Sequence, residues 1–468
     1  MTSSCQETTG KMTLKRLLLT LFMGGCSLLL TLNLSTTAIA DRHLTDNQHS
    51  FAEAMTWTAE NSDPKTLGWM QGAPPPADKI IRFDDSSYAQ FPQWRWTVCN
   101  FQQLMPTKAV SRRLSQVAPL EPAEIRGIDQ VTFMPLGSTE PMTWKESLAA
   151  NFTDGMLVMH HGKVVYESYA GCLDPAKRHG AMSMTKSFVA TLGEILVSEG
   201  QLDENKLVGE YIPELTQSAF GDATVRQVMD MTTGLVYRED YADPDSEIWQ
   251  HAAAGNPLPK PADYTGPRTY FEFLQTVQKQ GNHGVSFGYK TINTDVLGWL
   301  ISRVTGKPVT EVLSEKVWGK LGADLDAYIS VDSIGTPFAG GGMSLGLRDL
   351  ARFGQMMLNN GKVGDEQIVP TEAIESIRKG GDRRAFADGG HALLDGWSYR
   401  SMWWITHNDH GAFMARGVYG QAIYVDPTAD MVIARFASFP VASNAKLDPT
   451  SLPAYEALAN YLMQVDPS

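Results

Sequence analysis

The residues of this 468-residue chain with the greatest chemical potential are Ser183-Met184-Thr185-Lys186. A serine and a lysine three positions apart lie on one face of a helix, with roughly 5–6 Å between Cβ atoms. The stretch that follows carries Phe188, Val189, Leu192, Ile195 and Leu196, so the helix is expected to be buried. Ser183 opens it, where free N–H groups and the positive end of the helix dipole favour a developing anion. A lysine held one turn further is desolvated and close to those positive ends, and both lower its pKa towards base function. The expected chemistry is that of an activated serine. The competing reading, an N-cap serine beside a solvated lysine, does not suit so apolar a helix.

The same tetrapeptide pattern begins at Ser62, Ser376 and Ser443. Ser62 has Pro64 inside the motif, Ser376 falls at the end of a short helix where the dipole is reversed, and Ser443 lies in a polar loop. Two further segments have chemical content. Tyr289, just ahead of a helix containing Leu297-Gly298-Trp299, can share a proton with a lysine amine and a serine hydroxyl; packing as an ordinary buried aromatic is the alternative. Arg416-Gly417-Val418-Tyr419-Gly420-Gln421 opens a strand, and its glycines let backbone N–H groups approach a substrate closely. Gly342-Met343-Ser344-Leu345-Gly346 spells a G-x-S-x-G motif, but a nucleophile elbow needs an apolar strand directly before it. Thr336 to Gly341 reads as a loop instead. His407-Asn408-Asp409-His410 reads as a polar hairpin turn, and neither a metal nor a cofactor is expected.

The elements that must position these residues divide along the chain. A hairpin is expected from Met156–Met159 and Val164–Tyr166 around His160 to Lys163. Helical patterns dominate from 204 to 390, including Asp295–Val304 and Leu347–Leu358. Strands return at Ser401–Thr406, Gly411–Ala415, Gln421–Val425 and Met431–Phe436, and a helix at Pro453–Met463 closes the chain. Strands at both ends with helices between them imply an α+β fold: an antiparallel sheet built from distant segments, with an inserted, mostly helical region at about 176–394.

The order Ser-x-x-Lys, then a tyrosine about a hundred residues on, then a Gly-rich strand resembles the penicillin-recognising serine hydrolases: class C β-lactamases, DD-peptidases and family VIII carboxylesterases. Within that superfamily the chain resembles the 6-aminohexanoate-dimer hydrolases. The likeness is carried by Met182 to Ser187, Tyr237-Arg238-Glu239-Asp240-Tyr241-Ala242-Asp243-Pro244, Tyr289 with Asn293 to Leu297, Gly417 to Gln421 with Val425-Asp426-Pro427, and Ala109 to Arg113. The resemblance implies a β-lactamase/DD-peptidase-like fold and an acyl-enzyme mechanism on small linear amides or carboxylic esters. The alternatives are β-lactamase, D-aminopeptidase or DD-peptidase activity, or slow-turnover penicillin binding. It also implies roles: Ser183 as acylated nucleophile, Lys186 as its base, Tyr289 as proton relay, and the N–H groups of Ser183 and Val418 as oxyanion hole. Tyr237 and Gly417 would contact the substrate. Two departures bear on substrate class. Thr291 stands where β-lactamases have Asn, and Ala415 where they have Lys or His, with Arg416 beside it expected to face outwards.

Composition frames the rest. Net charge is −13 and no dense basic run follows the N-terminus, which disfavours a nucleic-acid partner. Lys11, Lys15 and Arg16, the apolar run from Leu17 to Leu34 and Ala38-Ile39-Ala40 read as a signal peptide over 1–40, from either Met1 or Met12. The mature protein is then exported, periplasmic or secreted, without stable membrane insertion. Residues 41–120, rich in Pro, Trp and Gln, read as a lead segment packed on a hydrolase domain spanning 121–468. Cys99 and Cys172 survive cleavage; in an oxidising compartment they pair with each other or persist as separate thiols.

Overall fold

The computed structural model describes residues 56–465, and the compact body begins at Trp57. The signal-peptide segment and its Ala38-Ile39-Ala40 site lie outside the described residues. The body is built on one seven-stranded antiparallel sheet that draws its strands from the two ends of the chain. In chain order these are β1 (Thr153–His160), β2 (Lys163–Tyr169), β3 (Ser398–Arg400), β4 (Trp403–Ile405), β5 (Phe413–Gly417), β6 (Gln421–Asp426) and β7 (Met431–Ala437). Their spatial order is β3-β4-β5-β6-β7-β1-β2. The join between the ends is the β7–β1 pairing, in which Met431 faces His160 and Arg435 faces Met156.

Every residue of β1, β6 and β7 is buried, which explains why these strands read as apolar runs rather than alternating ones. Helices cover both faces. On one side α6 (Leu347–Leu358) lies over β6 and β7; a Cβ added at Gly354 would meet Val432 at 2.5 Å, so glycine sets the closeness of that packing. On the other, Tyr455 of α7 (Asp448–Leu462) packs against Tyr424 of β6 and against Trp144 of α1 (Trp144–Ala150), with ring centroids 5.3 and 6.4 Å apart. The buried helix α2 (Met184–Ser198) stacks Phe188 on Phe353 of α6 at 3.9 Å. The remaining helices needed below are α3 (Glu247–Gly255), α4 (Tyr270–Thr276) and α5 (Ile292–Thr305).

Two local features differ from the sequence reading. The segment expected as a single strand from Ser401 to Thr406 is the second half of a hairpin. Ser401 and Met402 adopt left-handed φ values of 48° and 59° and turn the chain between β3 and β4. Asp230 accepts the Ser401 N–H at 3.0 Å, which holds this glycine-free turn. The mostly helical region also contains strands. Ala327–Ser330, Met343–Leu345 and His179–Gly180, with Thr107–Val110 from the lead segment, form a second sheet of four strands. Strands of two to four residues are too short to show a period-two signal.

The lead segment packs on the body. Arg95 is buried and pairs with Asp154 of β1 at 2.8 Å, and Trp94 packs against Tyr419 with centroids 4.5 Å apart. Cys99 and Cys172 are joined in a disulfide across 73 residues of sequence. Closing a loop of that length restricts the unfolded chain, so reduction is expected to destabilise the protein by about 2–4 kcal/mol. Paired thermal melts with and without reductant measure this; a mass spectrum of the non-reduced protein showing two free thiols would refute the pairing.

Candidate active site

Helix α2 begins where the second sheet ends. His179–Gly180 pairs with Met343–Leu345, the chain turns at Met182 with a left-handed φ of 48°, and Ser183 caps the helix. A non-glycine residue in that region carries local strain, a common feature of functional turns. Ser183 is 8% exposed, and Lys186, one turn further, is 1% exposed. The lysine Nζ donates to Ser183 Oγ at 2.8 Å and to the carbonyl oxygen of Gly340 at 2.5 Å. Burial lowers the Lys186 pKa to about 8, against the opposing pull of the Glu239 and Asp295 carboxylates. A substantial fraction of this amine is therefore neutral near physiological pH.

Tyr289 comes from the segment leading into α5. Lys186 Nζ lies 5.1 Å from its ring centroid, and the ring stacks on Trp404 at 5.6 Å. Burial, reinforced by the Glu239 charge, pushes the phenol pKa far above its ordinary value, while a hydrogen bond from Ser183 and the Arg416 cation act the other way. The phenol therefore keeps its proton at neutral pH. Opposite, the end of β5 comes very close to the nucleophile turn: a Cβ on Gly417 would lie 2.7 Å from the carbonyl oxygen of Ala181. Only glycine permits that approach, and Val418 is the next residue of the chain. The Gln421 side chain, donating to the carbonyls of Val418 at 3.2 Å and Ala437 at 2.6 Å, holds the turn, and Tyr419 completes it with φ 64°.

The structure thus brings together Ser183, Lys186 and Tyr289, with Gly417 close against the turn that precedes Ser183. It does not bring Tyr237 into the cleft. That ring is 4% exposed, and its hydroxyl faces His251 Nδ1 at 3.5 Å within an aromatic cluster. The more exposed tyrosine of the same run is Tyr241, whose hydroxyl donates to Glu239 at 2.9 Å. Arg416 likewise departs from the outward-facing expectation. It is buried, ion-paired with Asp448, and lies 5.2 Å over the Trp404 ring. Alternation along β5 puts it on the face opposite Ala415, where α7 supplies the acid.

Ser344 is 1% exposed on a short strand rather than on an elbow. The other Ser-x-x-Lys serines have structural partners or settings: Ser62 bonds to Thr58 and Arg95, Ser376 accepts from Arg400, and Ser443 precedes a short 3₁₀ turn. His407 pairs with Ser398 at 2.7 Å and His410 with Asp426 at 2.8 Å, both around the β4–β5 turn. Among the described residues, one cluster, Cys99, Cys172 and His179, has its donor atoms close enough to hold a metal ion, and its two cysteines are consumed by the disulfide.

Sequence reasoning missed Glu239 as a contributor to the site. Its carboxylate accepts the Thr291 N–H at 2.8 Å and the Thr291 hydroxyl at 2.7 Å, and its charge acts on both Lys186 and Tyr289. It lies fifty residues before Tyr289 in an irregular loop, where no periodicity marks it. The polar Thr291, read as lacking the amide of β-lactamases, was the available signal: its hydroxyl needed an acceptor.

With this geometry in view, the chain is identified by comparison. Residues 148–452 match the Beta-lactamase family model, and the chain belongs to that family. It is a serine hydrolase with the β-lactamase-like fold. Among individual proteins, it is 39% identical over 357 residues to the 6-aminohexanoate-dimer hydrolase of Paenarthrobacter ureafaciens, covering 76% of this chain and 88% of that one. A solved structure from Bacillus anthracis, provisionally described as a 6-aminohexanoate-dimer hydrolase, superimposes with a TM-score of 0.74 at 31% identity, covering 82% of this chain and all of that one. EstCE1, a hydrolase with promiscuous acyltransferase activity, shares the fold at 16% identity and a TM-score of 0.54, covering 67% and 96%.

Proposed function

We propose that the protein hydrolyses small linear amides or carboxylic esters through an acyl-enzyme on Ser183. The observation that carries this reading is the 2.8 Å bond from buried Lys186 to the Ser183 hydroxyl, with the lysine pKa lowered to about 8. Neutral Lys186 takes the hydroxyl proton as Ser183 attacks the carbonyl. The oxyanion forms towards the N–H groups of Ser183 and Val418, at the positive end of α2. Tyr289 donates its proton to the leaving amine or alkoxide as it receives the one that Lys186 took from Ser183, so both groups are restored; neutral Lys186 and Tyr289 then assist attack of water on the acyl-enzyme.

The substrate class follows from the charges around this centre. Ala415 offers no cation, Arg416 is neutralised by Asp448, and Glu239 adds negative charge beside Tyr289. A penicillin or cephalosporin carboxylate therefore lacks its partner, whereas an ester or amide without an acid group there needs only acylation. The name of the 39%-identical relative supports the amide reading. A lost charge-assisted contact is worth about 1.5–3 kcal/mol, or one to two orders of magnitude. For the purified enzyme, kcat/KM for an activated short-chain ester is expected to exceed that for a chromogenic cephalosporin by at least about tenfold, with detectable cleavage of a 6-aminohexanoate-type linear amide. A preference for the cephalosporin would overturn this assignment. We further propose export of the mature protein to an oxidising compartment, in keeping with the N-terminal sequence pattern and the Cys99–Cys172 disulfide.

A further inference from the structure

Beneath the Ser183 centre lies a second polar cluster that the acylation chemistry does not use directly. His251 of α3 and Asp295 in the first turn of α5 are 1% and 5% exposed; Nε2 and Oδ2 lie 3.0 Å apart but are not aligned as a hydrogen bond, and neither atom has another partner. Rings of Tyr237, Tyr270, Phe273 and Phe338 surround the histidine at centroid distances of 5.1 to 6.2 Å. Placing a carboxylate in such surroundings is unfavourable unless its oxygens are well engaged. One of the two Asp295 oxygens is engaged in an informative way. Oδ1 accepts the N–H of Gly340 at 3.1 Å, and the carbonyl of the same glycine accepts Lys186 Nζ at 2.5 Å.

Gly340 is confined as well as held: an added Cβ would lie 2.4 Å from Thr291 Cγ2, so the peptide has little room to shift. Its carbonyl and Ser183 Oγ are the two acceptors of Lys186 Nζ, so the placement of Gly340 determines how the amine is aimed at the hydroxyl. An unbroken series of contacts runs from His251 through Asp295, Gly340 and Lys186 to Ser183. We propose that Asp295 is a positioning residue that aims Lys186 at Ser183 through the Gly340 peptide. This rests on the reading of Ser183 and Lys186 as nucleophile and base.

The test compares wild type, Asp295→Leu and Asp295→Asn in turnover of 4-nitrophenyl acetate across pH, alongside the rate of fluorophosphonate labelling. Leucine keeps the bulk but removes the acceptor for Gly340. Asparagine keeps that acceptor at nearly the same size. The leucine variant, folded by its unfolding midpoint, is expected to lose about 10²-fold in kcat, as small misplacements of reacting groups do, with KM within about threefold. Asparagine should restore kcat to within about tenfold of wild type.

The pH profile separates aiming from simple destabilisation. The charged and titratable groups acting on Lys186 are Glu239 and Asp295, with Tyr289 beneath its amine and Arg416 acting on Tyr289. Asp295 in turn acts on Tyr237 and Tyr270 and faces His251. The Asp295 charge holds the lysine pKa up, so its removal in Asp295→Asn should move the rising limb of kcat to lower pH. A leucine variant within threefold of wild type in kcat, or a loss confined to KM, overturns the proposal. So does an asparagine variant with an unmoved limb, which decides the matter if the leucine variant does not fold. Labelling of the wild type at a serine other than Ser183 would instead overturn the underlying reading.

Discussion

Replacing Ser183 with alanine is expected to abolish hydrolysis of every substrate while leaving the fold intact; Ser344→Ala should retain activity. Ser183 stands at the start of α2 with its hydroxyl held by Lys186 at 2.8 Å, whereas Ser344 is a buried strand residue paired across to Gly180. Removing the nucleophile of a covalent mechanism typically leaves only the contribution of binding and the oxyanion hole, a loss on the order of 10⁶-fold in kcat. The oxygen of Ser183 makes no cap bond to the helix, so its loss has little structural consequence. Steady-state rates, an unfolding midpoint and the site of fluorophosphonate attachment check this together. Activity that survives Ser183→Ala and disappears with Ser344→Ala would refute the assignment.

The next largest effect is expected at the proton-transfer groups. Lys186→Ala and Tyr289→Phe should each lower kcat by about 10²-fold or more, a typical size for lost acid–base assistance. Combined with Ser183→Ala neither should produce a further loss, because the three act as a unit. The pH dependence has a definite sign. A base works in its neutral form, so wild-type kcat should rise with pH through the Lys186 pKa of about 8 and level off above it. Lys186→Ala should remove that limb. Tyr289→Phe should keep it, since the phenol stays protonated throughout that range. Near-wild-type turnover for Tyr289→Phe, or a wild-type profile flat from pH 6 to 9, would exclude these roles.

Much of the fold was legible because its longest elements carry strong local signals. Helix α6 runs over the same residues, Leu347–Leu358, that its apolar pattern outlines, and α2 contains the whole apolar run from Phe188 to Leu196 that marks it. The hairpin of β1 and β2 was visible too, although its turn is tighter than expected. His160 and Lys163 pair, leaving His161 and Gly162 at positive φ between them. The second sheet was not legible, because its two outer strands gain their hydrogen bonds from partners more than 150 residues away. No local preference encodes such pairing.

The active site divides in the same way. Ser183 and Lys186 are one helical turn apart, so their meeting follows from helix geometry once the segment is helical, and the sequence by itself determined it. It also determined that the lysine would be desolvated, from the apolar residues that follow. Everything that enters from another part of the chain was decided by tertiary structure: which tyrosine faces the cleft, whether Arg416 is free or paired with Asp448, and that Glu239 reaches Thr291. The same holds for the link from Asp295 through Gly340 to Lys186. Side-chain direction in a loop and the identity of a long-range ion partner depend on how distant segments pack. Burying Tyr237 while leaving Tyr241 partly exposed, or turning Arg416 onto Asp448 rather than outwards, leaves the local sequence pattern untouched while changing which groups surround the site.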